Sequence, residues 1–204
     1  MCNLYRMSKN IDEVAKWFSA NNAATGANFS TEVYPGYPGA VIANGEVRSM
    51  IWGFPLVLKS KKTGKPLKPK PVNNARTDKL DSYMWRYSFE ERRCLLPLTA
   101  WAEAEGTKGS MNRTWLAVPD ADVFAVAAIW RDSDEWGPAY SMVMTDAAGD
   151  AAFVHTRMPV ILNPGDYDTW QNGAPEDAKA LCTAWAGDLT INRTDEPWFR
   201  KSAQ

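Results

Sequence analysis

VFAVAAIW, residues 123–130, and AYSMVMT, residues 139–145, are the stretches whose reading decides the fold. Each is a short, nearly continuous apolar run of strand length, too brief for a helix of typical size. Working outward, CLLPLTAWAE (94–103), TWLAV (114–118) and MPVIL (158–162) read the same way. AVIA (40–43) and SMIWGF (49–54) flank Asn44-Gly45, a dipeptide that favours tight hairpin turns. Helical spacing is confined to three places. IDEVAKWFSAN (11–21) aligns Ile11, Val14, Ala15 and Phe18. Residues 78–92 carry a similar pattern, and PEDAKALCTAWA (175–186) has Pro175 in its first turn. Many short strands with few helices predict an α+β fold.

With 204 residues and 45% hydrophobic content, the chain suits one domain spanning 1–204. Its net charge of −1 argues against indiscriminate binding of polyanions, although a local basic patch is still compatible with it. One such patch is KSKKTGKPLKPK (59–70), with Lys59, Lys61, Lys62, Lys65, Lys68 and Lys70. Gly64, Pro66 and Pro69 interrupt it, so it reads as an irregular surface loop. The cysteines, Cys2, Cys94 and Cys182, form no CxxC pair, and His155 is the single histidine, which argues against a zinc site. The odd cysteine count, the lack of an apolar leader and the lack of a long apolar run predict a cytoplasmic protein with no membrane span. No phosphate-binding glycine motif supports a nucleotide cofactor.

Four segments carry residues with chemistry. Cys2 follows the initiator Met, and removal of Met1 leaves an amine and a thiol on one residue. The amine, whose ordinary pKa is near 8, can condense with an aldehyde, and the thiol can then close a five-membered ring. Taken alone, a cysteine there more often reads as a small buried hydrophobe. Asn74 offers a donor and an acceptor, and Arg76 can fork onto a phosphate; a turn Asn and a surface Arg are the plain readings. Glu103 interrupts an apolar run, and if it points inward it needs a partner or a raised pKa. His155 suits acid–base work near neutrality, or a structural role before an apolar strand.

Taken in order, Cys2, Asn74-Ala75-Arg76, RRCLLPLTAWAE (92–103) and HTRMPVIL (155–162) resemble the SOS response-associated peptidase family of abasic-site processing proteins. Trp52-Gly53-Phe54 stands for that family's Trp-Gly-Leu element, and the resemblance spans nearly the whole chain. It implies a single α+β domain, mainly antiparallel around a barrel-like core with flanking helices, and a shallow basic groove passing the N-terminus. Cys2 would be the nucleophile, Asn74 its positioner, Glu103 a proton shuttle and His155 the acid that opens the sugar ring. Arg76 would grip phosphate beside the lesion, with Thr145, Lys70 and Arg157 also on the DNA side. The implied partner is single-stranded DNA with abasic sites, bound by a monomer with no metal or organic cofactor and no membrane association. Within DNA repair the implied activities are autocatalytic removal of Met1 and a covalent thiazolidine crosslink.

Two departures stand out. Asn3 and Leu4 replace the family's Gly-Arg after the cysteine, which leaves Arg6 as the nearest arginine for a phosphate. Val57-Leu58 and the lysine-rich stretch replace the aromatic residues that would meet bases. Two other classes remain open on the sequence: an N-terminal-nucleophile amidohydrolase, which would also begin Met-Cys, and a non-catalytic single-strand-binding protein.

Overall fold

In the computed structural model, which describes residues 2–198, five strands close on themselves: Pro38–Ala43, Glu46–Trp52, Arg93–Leu98, Phe124–Ser133 and Gly137–Asp146. Glu46–Trp52 pairs antiparallel with Pro38–Ala43, which meets Arg93–Leu98. That strand pairs with Phe124–Ser133, which in turn pairs with Gly137–Asp146. Ala139 and Tyr140 then run parallel to Ile51 and Trp52 and complete the ring. Closure removes the open edges that a flat sheet would expose. Arg93–Leu98 is buried along its whole length, and so is Phe124–Trp130. This explains why these strands read as continuous apolar runs, since their outer faces are covered as well as their inner ones. The Tyr167–Asn172 helix supplies part of the cover, with a buried Trp170 whose indole donates to the Cys94 carbonyl at 2.9 Å. Asn44 and Gly45 both take left-handed φ, 55° and 73°, as a two-residue hairpin turn requires.

A second, antiparallel sheet orders Thr190–Pro197, Ser110–Ala117, Ala100–Thr107, Tyr5–Arg6 and Glu32–Val33. Residues 94–103, expected as one strand, are therefore two. The chain changes sheets at Thr99, whose amide and hydroxyl both donate to the Arg6 carbonyl, at 2.8 and 3.2 Å. Both sheets contribute to one core, with Tyr5, Val33, Trp101 and Leu116 packed among the barrel residues. The architecture is the expected single α+β unit with a barrel core. Of the expected span 1–204, Met1 and residues 199–204 lie outside the described residues.

The helices are shorter than their patterns. Asn10 caps Ile11–Trp17 in a reciprocal arrangement with Glu13, and Ser19, at φ 50°, ends the run. Residues 78–92 hold only a single turn at Thr77–Lys79 and a helix at Arg86–Glu91; Leu80 and Trp85 are buried from the turn between them, not along one helical stripe. The third helix stops at Ala180. Among the described residues, no helix is long and apolar enough to cross a membrane.

The lysine-rich stretch is the exposed, largely irregular surface loop expected, but hydrogen bonds across it fold it as a hairpin. Phe54–Leu56 pairs with Lys70–Val72, and the ladder continues through Leu67 N–H to the Leu58 carbonyl (2.7 Å) and Ser60 N–H to the Lys65 carbonyl (2.8 Å). Gly64, at φ +69°, and the Ser60 hydroxyl, which accepts from the Lys62 and Thr63 amides, shape the tip. The prolines sit where the hairpin needs no amide donor. At its root, Gly53 has φ +115°, and a Cβ there would lie 2.4 Å from the Pro71 Cβ. Gly53→Ala is expected to cost about 2–4 kcal/mol, from left-handed strain plus the clash. Urea unfolding measures this, and a loss below about 1 kcal/mol would contradict the tight approach.

Candidate active site

The N-terminal segment extends the second sheet. Tyr5 faces Trp101, and the Ala102 amide donates to the Leu4 carbonyl at 2.9 Å, so the chain before Tyr5 runs alongside Glu103. Cys2 is buried, and its thiol lies 3.4 Å from the Leu4 carbonyl. From the barrel side, Asn74–Arg76 pairs parallel with Met142–Met144, placing Asn74 opposite Met142. The Asn74 side-chain amide donates to the Cys2 carbonyl at 2.8 Å. Asn73 does the same at 2.8 Å, and also donates to the Asn3 Oδ1 at 3.1 Å. Two amides on one carbonyl fix the Cys2 backbone, because each bond is made in a buried setting where its loss leaves a polar group unsatisfied. The Asn74 Oδ1 is buried and accepts from no described residue, which leaves an acceptor inside the site.

Asn73 was missed by sequence reasoning. Its own carbonyl accepts from the Met142 amide (3.0 Å) and the Trp52 indole (3.1 Å), which locks its backbone. The doubled Asn directly before Ala75-Arg76 was the available signal.

Glu103 is almost fully buried. Burial pushes its carboxyl up to about 7, with the positive charge at the amino end of the chain pulling the other way. The Cys2 thiol is pushed well above the usual range, first by burial and then by the Glu103 charge. His155 Nε2 stands 4.0 Å from the Glu103 Oε2. The Arg157 amide donates to Nδ1 at 3.0 Å, which assigns the ring proton to Nε2, facing the carboxylate. Burial, aided by the positive charges of the amino terminus and Arg157, holds His155 below its ordinary pKa. The site therefore offers a carboxyl that exchanges protons near neutrality beside a neutral imidazole donor.

The other expected residues divide. Thr145 is buried and pairs with Met158 beside the site. Arg76 and Arg157 lie on the same strands and are already engaged. Arg76 forks onto Asp78 at 2.7 and 2.8 Å, and Arg157 contacts Asp146 at 3.2 Å. The Arg76 guanidinium holds the exposed Asp78 carboxyl below its usual range. Such a solvent-screened pair yields readily to a phosphate. Arg6, four residues after Cys2 on the two-residue strand Tyr5–Arg6, is also engaged within the fold. Its guanidinium sits 2.9 Å from Glu32 and 3.8 Å above Trp115. Leu4 is buried against Ala102 and Trp115. Lys70 is exposed on the hairpin.

The family model described as SOS response associated peptidase (SRAP) matches residues 1–195. The chain belongs to the SOS response associated peptidase family. Its fold recurs in solved structures. A Bordetella bronchiseptica protein superposes with a TM-score of 0.77 at 22% identity, covering 95% of this chain and 99% of that one. A Bacteroides thetaiotaomicron protein gives 0.76 at 20% identity, covering 95% and 93%. A phage-related protein of Bordetella bronchiseptica gives 0.67 at 17% identity, covering 95% and 94%. Identities this low establish the shared fold. No curated protein matches the chain. SRAP membership associates the chain with the response to DNA damage.

The buried Glu103 has a stability consequence. Its folded pKa lies above the ordinary 4.5, so the folded state binds more protons than the unfolded state between about 4.5 and about 7. Its contribution is thus greatest at low pH and is lost as pH rises through that window. Glu103→Gln is expected to flatten the decline of Tm across this range and to raise Tm relative to the parent at higher pH. Thermal melts across the window check this, and an unchanged slope would place the carboxyl in a solvated setting.

Proposed function

We propose that this SRAP protein removes its own Met1 and traps abasic sites in single-stranded DNA as a thiazolidine on Cys2, acting as a cytoplasmic monomer. The observation that carries the reading is the Cys2 carbonyl held by two asparagine amides beside a buried carboxyl whose pKa is near neutral. Hydrolysis of the Met1–Cys2 peptide bond consumes one water and releases methionine and the Cys2 amine. The Glu103 carboxylate takes the proton of the sugar's C1 hydroxyl as the bond from C1 to the ring oxygen breaks. The carboxyl returns that proton to the ring oxygen, which the neutral His155 hydrogen-bonds through its Nε2–H; the abasic site is then the open aldehyde. The amine attacks the aldehyde carbon, and water leaves as the imine forms. The thiol then adds across the C=N bond; sulfur bonds carbon while its proton passes by way of Glu103 to nitrogen.

The raised thiol pKa supports this order. A protonated thiol is a poor first nucleophile, whereas the amine attacks as a neutral group, and Glu103 can take the thiol proton only as the ring closes. The Asn74 Oδ1 is placed to accept from the released amine or from a sugar hydroxyl. Arg76 and Arg157 would exchange their carboxylates for the flanking phosphates, with Thr145 beside them.

Mature protein mixed with an oligonucleotide carrying an abasic site should give a band shift that survives denaturation, with a mass equal to the sum less one water. Cys2→Ala should abolish it. Glu103→Gln should slow it by about 100-fold or more. Ammonia release from glutamine without any adduct would instead assign an amidohydrolase and overturn the reading. Removing one clamp donor, in Asn73→Ala, should slow adduct formation about tenfold, roughly 1.4 kcal/mol of barrier, and Asn73→Gln should restore part of the rate. An Asn73→Ala rate equal to wild type would reduce that residue to a structural role.

A further inference from the structure

The hairpin Phe54–Val72 leads directly into Asn73 and Asn74, the two residues that hold Cys2. All six of its lysines are exposed. Between Val47 and Thr77 the chain contains no acidic residue. Among the described residues, the lysines found in ion pairs are Lys9 and Lys179, and none is on the hairpin. The contrast with Arg6, Arg76, Arg113 and Arg157 is sharp, since each of those already faces a carboxylate. Although the whole chain is near neutral, six of its unpaired cations are gathered on one arm.

The arm also exposes aliphatic side chains: Leu56, Val57, Leu58 and Leu67, at 39%, 41%, 45% and 46%. Exposing four large apolar groups beside six cations in an ordered, hydrogen-bonded hairpin is unusual for a purely solvated excursion. From Leu56 and Lys70 to the tip is about six residues, or about 20 Å. That reach matches about six stacked nucleotides at roughly 3.4 Å each.

We infer that the hairpin is a strand-binding arm that grips undamaged single-stranded DNA next to the lesion, lysines on phosphates and leucines against unstacked bases. The inference rests on the proposed function for where the strand goes, since a strand reaching Cys2 must pass the root of the arm. Single-stranded DNA is favoured over a duplex because a duplex buries the base faces that the leucines would meet. It is favoured over a lipid surface because the arm is continuous with the site instead of standing apart from it. The arm takes the place of base-contacting aromatic residues and changes the kind of grip. Stacking is insensitive to salt, whereas lysine–phosphate contacts release counterions and weaken steeply as salt rises.

The test is fluorescence anisotropy of the mature protein on an undamaged oligothymidylate, between about 50 and about 200 mM salt. For K61Q/K62Q/K65Q/K68Q, the slope of log affinity against log salt should flatten by about 2–3, with affinity at the lower salt falling about 10–100-fold. L58S/L67S should weaken binding about tenfold while leaving the slope unchanged, because it removes apolar contact only. Neither variant touches the Cys2 site, so both should form the thiazolidine with soluble glycolaldehyde at the wild-type rate, read as intact mass; this also shows that they are folded. An unchanged salt slope in the lysine variant would overturn the arm. So would tighter wild-type binding to duplex DNA, to RNA or to anionic phosphatidylserine vesicles than to single-stranded DNA. A wild-type protein that forms no adduct with abasic DNA, yet loses salt dependence in the lysine variant, would overturn the covalent chemistry and leave the arm standing.

Discussion

The strand Gly137–Asp146 carries more neighbours than a ten-residue strand usually holds, and the rest of the molecule is arranged around that fact. Its first half pairs with Phe124–Ser133 on one side and, through Ala139 and Tyr140, with Ile51 and Trp52 on the other, which closes the barrel. Its second half exchanges those partners for Asn74–Arg76 and Arg157–Pro159. The barrel ring and the site are therefore built on one backbone. The N-terminal strand is tied to the same element by the Tyr5 and Tyr140 hydroxyls, 2.6 Å apart and buried. Gly39 makes room for that pair, since a Cβ there would lie 2.1 and 2.2 Å from the two oxygens. Groups held on closed, buried elements keep their geometry better than groups on loops, and the condensation proposed above would need that precision more than strong binding.

Burial then sets the protonation states. One enclosed region raises both the Cys2 thiol and the Glu103 carboxyl, with opposite consequences for reactivity. The thiol becomes a weaker nucleophile on its own, and the carboxyl becomes a better proton carrier at neutral pH. His155 is biased the other way, toward the neutral ring, by the same desolvation. A desolvated site thus disfavours charge on all three groups, which suits steps in which a proton moves with each bond change and no group stays ionised for long.

Much of this was legible in the sequence, and what was not has physical reasons. Residues 123–130 and 139–145 read clearly as strands because both of their faces are covered. Residues 94–103 misled because apolar content stays continuous across Thr99 while the pairing partner changes, and hydropathy carries no information about which sheet a strand joins. Tyr5–Arg6 and Thr190–Pro197 left no alternating pattern. The latter is mostly exposed and is held by its ladder and by the Glu196 contact to the buried Arg113. Glycines and prolines in the lysine-rich stretch pointed to an irregular loop, and a hairpin tip uses the same residues. Motif order alone singled out Cys2, Asn74, Glu103 and His155, which the fold brings to one region, because nothing in local pattern distinguishes an inward Glu103 from an outward one.

Asn73 and Asn3 show how the departures from family pattern fit together. Asn3 is not simply a bulkier residue at the usual Gly position. Its side-chain oxygen accepts from the Asn73 amide that also holds the Cys2 carbonyl. A clamp built on Asn74 alone would leave one rotatable amide to hold the terminus. With Asn73 added, and Asn3 orienting it, the backbone of Cys2 is fixed from two directions. Leu4 turns into the small cluster with Ala102 and Trp115, and Arg6 is committed to Glu32. The segment after the cysteine is thus anchored within the fold, and it holds the Cys2 backbone in place. Six unpaired lysines lie instead on the hairpin that feeds into Asn73.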